Sequence, residues 1–487
     1  MSQIRKSLSI LKRFFKDTIL YGLASITPRL VSFVLVPIHT SSLDTALYSI
    51  NTNYYVYAVF LNALLTLGME TAFFRFFSSE SKPDKVLSTS FLMLCATSVL
   101  FVGLAWPLAE PLATFFGFPD PVFIRLLALT IFFDTLVVIP FAWLRAKGKS
   151  LVFAGFKILN VLITLALNVW LLLILPTGNL QADIWPGVIN PTAEVSDIFA
   201  ANLAASILTF ALCLPMIGRF QWQVDKVLLR RMLAYGLPIM IAGIAYAINE
   251  NLDKLFIARY LGDDVNGMYA GCYKLGVFMS LYVMTFRLGA EPFFFNQYGK
   301  AGAEILYSRI LTWFVIFAAL CLLVVTGFVD VFADLLLKRA AYKEALNIVP
   351  VILMANIFLG IYNNLSVWYK LRDKTGVGMM ISVTGAGLTV ILLMILLPWL
   401  GYMGAAWTTL AVYGFMAVSS YILGRKYYPI PYQIGKIMLL LGIASSLAFI
   451  SFYMFRGQHF INAAFLLAFV LLALFVQKDE WRRQAER

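Results

Sequence analysis

The chain has 487 residues, of which 61% are hydrophobic and 13% are charged, and its mean hydropathy is +0.83. A soluble protein of this length carries roughly twice that charged fraction, so the composition excludes a soluble globular protein and indicates a polytopic membrane protein. The formal net charge of +13 does not indicate a nucleic-acid partner, because the basic residues recur in short connections instead of forming one patch or tail.

Apolar runs of about 20 residues recur along the chain and predict an all-α fold with about fourteen transmembrane helices. Residues 1–17 form a basic, weakly amphipathic segment without a signal-peptide cleavage site, which we expect to lie on the cytoplasmic leaflet. The predicted spans are 18–39, 46–73, 86–108, 122–144, 151–176, 197–218, 231–259, 265–290, 305–328, 344–369, 376–398, 402–424, 434–455 and 459–476.

The connections between these spans alternate in charge. Most of the 38 lysine and arginine residues lie in the N-terminal segment, in every second connection and in the C-terminal tail. The positive-inside rule makes these segments cytoplasmic, so both termini are expected on the cytoplasmic side. No connection is long enough to hold a soluble domain, which argues against an enzyme that acts at the membrane surface.

Two halves of the chain share sequence blocks at corresponding helix ends. The matched blocks are LGMETAFFRFF (67–77) with LGAEPFFFNQY (288–298), YGL (21–23) with YGL (235–237), and LRAK (144–147) with LRDK (371–374). Six predicted spans separate the members of each pair. Because six is an even number, the halves have the same orientation, which predicts two six-helix lobes related by a pseudo-two-fold axis along the membrane normal.

The repeat also predicts how the chain is divided. Two C-terminal helices fall outside it and follow the second lobe. The predicted segments are a cytoplasmic segment 1–17, an N-lobe 18–218, a cytoplasmic linker 219–230, a C-lobe 231–424, the two additional helices 425–476 and a cytoplasmic tail 477–487.

The seventh predicted span carries a polar stripe. Tyr246, Asn249, Glu250, Asp253 and Lys254 share one face of an otherwise apolar helix. An ionisable group near the bilayer centre costs about 2.5–3.5 kcal/mol on insertion scales, so such residues face protein or a water-filled cavity. One interpretation is a cavity lining between the two lobes. The other is local neutralisation, because Glu250 and Lys254 have the favourable i,i+4 spacing of a helical ion pair.

Other ionisable groups lie within predicted spans, and the positive groups outnumber the negative ones. A cationic cavity suits an anionic substrate, because arginine and lysine are the usual partners of phosphate. The expected cavity cations are Arg29, Lys157, Lys254, Lys274 and Arg287. The expected cavity acids, which are candidates for ion coupling, are Glu70, Glu250, Asp253 and Glu291. Glu70, Arg75 and the repeat-related Glu291 lie near the expected cytoplasmic mouth, and the alternative interpretation is that they are charged residues snorkelling at helix ends.

Uncharged polar residues form similar helix faces. Such amides and tyrosines either contact the hydroxyl groups of a sugar or connect neighbouring helices by hydrogen bonds. The candidates for sugar contacts are Asn51, Tyr55, Asn62, Tyr246, Asn249, Asn356 and Asn363. The four cysteines lie inside apolar runs without metal-ligand spacing, so we expect no metal site, and we also expect no catalytic residue.

Several blocks resemble the polysaccharide transporters of the multidrug/oligosaccharidyl-lipid/polysaccharide exporter (MOP) superfamily. The longest is YGLPIMIAGIAYAINENLDKLFIARYLGDDVNGMYAGCYKLG, which is similar to the start of the second half of these transporters. LGMETAFFRFF, WLRAKGK and LPWLGYMGAAWTTL resemble other recurring blocks of the same group. The resemblance spans nearly the whole chain.

The resemblance implies a flippase of the bacterial inner membrane that moves a polyprenyl-diphosphate-linked oligosaccharide outward by alternating access, for the synthesis of surface polysaccharides such as lipopolysaccharide. Arg29 corresponds to a cavity arginine of the first span in this family, and Lys254 falls in the family's Asp-Lys/Arg pair. The expected partners are the lipid-linked glycan, membrane lipids and polysaccharide polymerase or assembly proteins. We expect a monomer without a cofactor, with Na⁺ or H⁺ as a candidate coupling ion.

Three alternatives remain. A lipid II flippase has more arginines in its first span than the single Arg29 of TPRLVSFVLVPIHT. A cation-coupled multidrug antiporter has buried acids, which Glu250 and Asp253 would supply. A membrane-embedded glycan polymerase or ligase is the least favoured, because the chain lacks a long external loop with arginine and histidine.

Overall fold

The computed structural model describes residues 27, 31, 33–80, 82–175, 195–217, 222–372 and 374–485. Twelve helices in these ranges are long and apolar enough to cross a membrane. The protein is therefore a multi-pass membrane protein, and the predicted all-α fold is confirmed. The chain forms two compact units, Met1–Ala247 and Ile248–Arg487.

The first unit consists of helices connected by short turns. Three of its longer helices start at a proline or serine, namely Pro83, Pro121 and Ser150. The helices are α1 (Phe33–Ser42), α2 (Thr45–Leu65), α3 (Met69–Ser79), α4 (Pro83–Ala105), α5 (Ala109–Phe116), α6 (Pro121–Ala146), α7 (Ser150–Val169, continued by a π-helical turn Trp170–Ile174), α8 (Val195–Ile217) and the first part of α9 (Lys226–Leu261).

The second unit begins within α9 and continues through a similar series. Two of its predicted spans contain short 3₁₀ segments, Lys274–Gly276 and Ala340–Ile348. The helices are α10 (Asp263–Tyr273), α11 (Val277–Gln297), α12 (Ala303–Gly327), α13 (Val329–Leu336), α14 (Val349–Leu365), α15 (Val367–Leu371), α16 (Thr375–Leu400), α17 (Tyr402–Tyr427), α18 (Ile434–Met454) and α19 (His459–Ala485).

The described helices correspond to thirteen of the fourteen predicted spans. Twelve spans match the long apolar helices, and the eighth matches α10 and α11 with the 3₁₀ turn between them. The first predicted span, 18–39, lies mostly outside the described residues, of which α1 covers the end. The predicted cytoplasmic linker 219–230 overlaps α9, which starts at Lys226 and continues without interruption past the boundary between the units.

The second predicted span is broken where a continuous helix was expected. The chain leaves the right-handed helical region at Leu67 (φ 50°) and Gly68 (φ 66°), so α2 and α3 are separate helices. A Cβ atom at Gly68 would lie 2.2 Å from the carbonyl oxygen of Gly236 in α9. Glycine is required at Gly68 both by the left-handed backbone and by this close approach of two backbones.

Candidate functional site

A small pocket opens within the second unit, between α11 and the pair α14–α15, and its empty space, with the open solvent at its mouth included, is about 280 Å³. Its wall on α11 includes Val283, Arg287 and Glu291, which recur every four residues and therefore share one helix face. Its wall on the other side includes Asn363 and Lys370, seven residues apart. The pocket thus joins an apolar helix face to a small group of polar and charged side chains.

The charged groups of this pocket form one connected set. Lys370 Nζ donates to Glu291 Oε1 at 2.8 Å, and Arg287 Nε lies 3.5 Å from Glu291 Oε2. Between a quarter and about a half of each of the three side chains is exposed. Two cations therefore share one carboxylate, and the set has one surplus positive charge that an anionic ligand can neutralise.

Two asparagine side chains lie next to these charges. Asn364 donates from Nδ2 to the carbonyl oxygen of Gly360 at 3.0 Å. Its Oδ1 atom is buried and accepts no hydrogen bond from the described residues. An unpaired buried acceptor costs about 1–3 kcal/mol, so a ligand hydroxyl that donated to it would recover this energy. Asn363 lies beside it in the pocket wall.

The polar stripe of α9 is occupied by the protein's own groups. Lys254 Nζ donates to Asp253 Oδ1 at 2.8 Å and lies 3.8 Å from the centroid of the Tyr273 ring. Tyr269 donates its hydroxyl to Asp253 Oδ2 at 2.7 Å. Because Asp253 neutralises Lys254, this predicted cation carries no unpaired charge.

The ion pair between Glu250 and Lys254, which was one of two interpretations of the stripe, does not form, and Asp253 neutralises Lys254 instead. Lys254 Nζ contacts the backbone oxygen of Glu250 at 3.2 Å, and Glu250 Oε2 instead accepts from the Tyr413 hydroxyl at 2.8 Å. The i,i+4 rule was derived from exposed helices, whereas the buried Asp253 here has a second donor in Tyr269 that fixes it next to Lys254.

Two predicted sugar contacts instead connect helices. The Asn249 amide donates to the backbone oxygen of Ser382 at 3.1 Å and accepts from Thr389 at 2.9 Å, which ties α9 to α16. Asn356 accepts from the Ser280 hydroxyl at 3.0 Å and donates to its own helix. Both side chains are buried, and each amide has protein partners at both ends.

In the first unit, Glu70 pairs with Arg145 of α6, and not with its sequence neighbour Arg75. Arg75 lies over the Tyr235 ring, 4.3 Å from its centroid. Glu70 and Glu291 are equivalent in the sequence repeat, so each unit pairs this acid with a cation close to its LR-x-K block. The repeated acid is therefore ion-paired in both units, although its partners Arg145 and Lys370 do not align with each other in the repeat.

A second polar group in the first unit lies on α6, α7 and α8. Ser206 donates to Asp134 Oδ1 at 2.7 Å, and the Asp134 carboxylate attracts the Lys157 ammonium. Asn160 donates to the Thr209 hydroxyl at 2.8 Å. Lys157, predicted as a cavity cation, therefore has an acid within its own unit.

The other predicted residues are dispersed. Arg29 lies outside the described residues. Lys274 occupies the 3₁₀ turn after α10, where Lys254 repels its charge. The hydroxyl of Tyr55 accepts from Asn202, and Asn51 is buried with an Oδ1 atom that accepts no hydrogen bond from the described residues. Tyr246 is half exposed, and Asn62 is partly buried.

Several residues of these clusters were missed, among them Asp134, Tyr413 and Lys370. Asp134 interrupts the apolar run LTIFFDTLVV, and a search for ionisable residues inside spans would have found it. Tyr413 has no comparable signal, because a tyrosine in an apolar helix is common. Lys370 directly follows the predicted span 344–369, where a basic residue at a helix end is common, and only the structure shows its pairing with Glu291.

The chain matches one protein-family model and several solved structures of known proteins. The family model described as "Polysaccharide biosynthesis protein" matches residues 14–294, more than half of the chain. None of the curated proteins matches.

Solved structures share the fold at low identity. The lipid II flippase MurJ in an inward closed conformation aligns with a TM-score of 0.73 at 15% identity, over 96% of this chain and 100% of that one. A variant of the Vibrio cholerae MATE transporter VcmN aligns with a TM-score of 0.60 at 16% identity, over 86% of this chain and 97% of that one. A MOP superfamily transporter from Pyrococcus furiosus aligns with a TM-score of 0.60 at 12% identity, over 84% of this chain and 95% of that one. At these identities the likeness establishes the MOP transporter fold.

Proposed function

The chain belongs to the polysaccharide biosynthesis protein family, and we propose that it is a flippase for a polyprenyl-diphosphate-linked oligosaccharide. It would move this lipid from the cytoplasmic to the outer leaflet of the bacterial inner membrane by alternating access. The family description supports a role in polysaccharide synthesis, and the transporter fold supports translocation over catalysis.

The observation that carries the proposal is the pocket of Arg287, Glu291 and Lys370. A diphosphate accepts hydrogen bonds from both arginine and lysine, and the surplus positive charge of the pocket favours such an anion. The neighbouring amides of Asn363 and Asn364 would contact the first sugar, and the prenyl chain would stay in the lipid. The diphosphate would thus meet the cations, the sugar would meet the amides, and the prenyl chain would meet the lipid.

Glu250 favours a second candidate, a cation-coupled multidrug antiporter. Its carboxylate is partly buried and has Tyr413 as its partner at 2.8 Å, which is an arrangement that a coupling ion could enter. A lipid II flippase is a special case of the main proposal, since lipid II is also a polyprenyl-diphosphate-linked glycan.

Lipid analysis of a host strain that lacks this protein tests the proposal. We expect one polyprenyl-diphosphate-linked oligosaccharide to accumulate, as detected by mass spectrometry of extracted lipids, and one surface polymer to be lost. Expression of the wild-type chain should reverse both changes. Unchanged lipid-linked glycans together with new sensitivity to cationic drugs would instead support the antiporter.

A further inference from the structure

Both cations of the α11–α14 pocket point at one carboxylate of the protein itself. The two oxygens of Glu291 are used separately, Oε1 by Lys370 at 2.8 Å and Oε2 by Arg287 at 3.5 Å. A phosphate group offers the same kind of acceptor to the same two donors. The Glu291 carboxylate therefore occupies the position at which the cations would hold a phosphate oxygen.

We propose that Glu291 is an internal anion that holds the pocket cations in place while the site is empty and is displaced by the phosphate of the ligand. The inference rests on the proposed function and adds to it a residue that opposes binding. Without Glu291, the charges of Arg287 and Lys370 would repel each other. With it, they remain oriented for an incoming anion.

The exposure of this set makes such an exchange feasible. About a third of the Glu291 side chain is exposed, and ion pairs with this degree of exposure contribute little to stability because water screens them. The buried Asp253–Lys254 pair differs, because breaking it would leave a desolvated charge. Glu291 is thus the acid that a ligand can displace at low cost.

Glu70, the acid of the first unit that is equivalent to Glu291 in the repeat, has a different set of partners. Glu70 pairs with Arg145 at about the same place in the first unit, but that described pair has one cation for one acid. Its neighbour Arg75 lies over the Tyr235 ring instead. The surplus positive charge is a property of the Glu291 set, and displacement of Glu291 would leave two cations for the ligand.

The test is a calorimetric titration of the purified full-length protein, in detergent, with inorganic pyrophosphate, which measures the affinity for this anion. Removing the competing charge in Glu291→Gln should tighten binding about five- to tenfold. Lys370→Met should weaken it by a similar factor. Glu304→Gln is the matched control, because Glu304 accepts a hydrogen bond from the Tyr428 hydroxyl and does not line the pocket. The Glu304→Gln variant should bind pyrophosphate with the affinity of the wild type.

Unchanged or weaker binding by Glu291→Gln would overturn the proposal, as would a lack of binding by both the wild type and Glu291→Gln at millimolar concentrations. If Glu291→Gln does not fold, Glu291→Ala replaces it, because this variant also removes the competing charge and should tighten binding. Equal affinity of Glu291→Ala and the wild type would then contradict displacement.

Farnesyl diphosphate distinguishes a lipid headgroup from a free anion. Tighter binding of farnesyl diphosphate than of pyrophosphate supports the lipid-linked ligand, whereas equal affinity would overturn that part of the proposal. The result is also separable from the proposed function. If the strain that lacks this protein accumulates no lipid-linked glycan, the flippase proposal is refuted. Tighter pyrophosphate binding by Glu291→Gln would still establish the anion site.

Discussion

At the scale of single residues, burial decides what each charge in a span can do. Asp253 and Lys254 are almost completely buried and satisfy each other, so the loss of either partner would leave an uncompensated buried charge. Arg287 and Lys370 remain accessible and share one acid, so they can bind a ligand. Residue type and position in the sequence do not distinguish these two cases.

The Asp253–Lys254 pair provides a stability prediction. Asp253→Asn should destabilise the protein by about 3–5 kcal/mol, because it leaves the Lys254 ammonium buried without its counter-charge. The double variant Asp253→Asn, Lys254→Met should recover part of this loss, since no unpaired charge remains. Thermal unfolding in detergent measures both effects.

Asp330→Asn is the control for this experiment. Asp330 pairs with Arg456 in the same unit, but more than a third of each side chain is exposed. Its loss should cost at most about 1 kcal/mol. Equal destabilisation by Asp253→Asn and Asp330→Asn would contradict the assignment of a buried, structural pair.

The sequence identified part of the pocket and missed part of it. Arg287, Glu291 and Asn363 were found because charged or amide residues inside apolar runs are conspicuous. Their grouping was not predicted, because α11 and α14 are separate helices whose contact has no periodic signal. The choice of Asp253 over Glu250 as the partner of Lys254 likewise depends on Tyr269, which lies in another helix.

At the scale of helices, breaks and caps determine where polar groups lie. The break at Gly68 separates α2 from α3 and sets the direction of α3, which starts one residue before Glu70. Hydropathy alone predicts a continuous span there, because Leu67 and Gly68 do not lower the apolar average. The break depends on a backbone contact with α9 that is remote in sequence.

We expect Gly68→Ala to be strongly destabilising. An alanine at φ 66° costs about 1–3 kcal/mol, and its Cβ atom would overlap the Gly236 carbonyl oxygen at 2.2 Å. Gly103→Ala in α4 is the control, because a Cβ atom there meets no atom within 4 Å and the backbone is helical. A similar melting temperature for the two variants would show that the contact with α9 is unimportant.

The start of α9 provides a pH prediction. The Asp225 carboxylate accepts from the backbone N–H groups of Leu228 and Val227 at 3.1 Å, and these bonds, with Lys85 nearby, lower the pKa of Asp225. A lowered pKa in the folded state stabilises the protein above the unfolded pKa of about 3.9, and this contribution is lost as the pH falls through the folded pKa.

The difference in melting temperature between the wild type and Asp225→Asn should therefore shrink as the pH is lowered from 7 to 3. Asparagine keeps an N-cap acceptor but cannot be ionised, so it isolates the charge. Asp225→Ala should be less stable than Asp225→Asn at every pH, because it removes the cap. A constant difference between the wild type and Asp225→Asn would contradict the prediction.

At the scale of the whole molecule, the sequence predicts much of the fold. Hydropathy locates the long helices, since membrane spans need no partner to be recognised in a sequence. The repeat predicts corresponding halves, and the acids Glu70 and Glu291 are paired at equivalent positions in both units. The sequence places the division between the lobes at 219–230, whereas the compact units divide between Ala247 and Ile248, inside the continuous helix α9.

The charge distribution predicts the topology, which cysteine labelling can measure. Gln458→Cys, between α18 and α19, should react with a membrane-impermeant maleimide in spheroplasts, because an odd number of predicted spans precedes it. Lys300→Cys, between α11 and α12, should react only after permeabilisation. Both positions are exposed. The opposite labelling pattern would contradict cytoplasmic termini.

The most direct test of the account is the leaflet in which the lipid-linked glycan lies. Membrane vesicles of defined orientation from the strain that lacks this protein can be treated with an impermeant glycosidase. We predict glycan only in the cytoplasmic leaflet, transfer to the outer leaflet with the wild-type chain, and no transfer with a double variant Arg287→Ala, Lys370→Ala that still inserts into the membrane. Glycan in the outer leaflet without the protein, or full transfer by the double variant, would contradict the account.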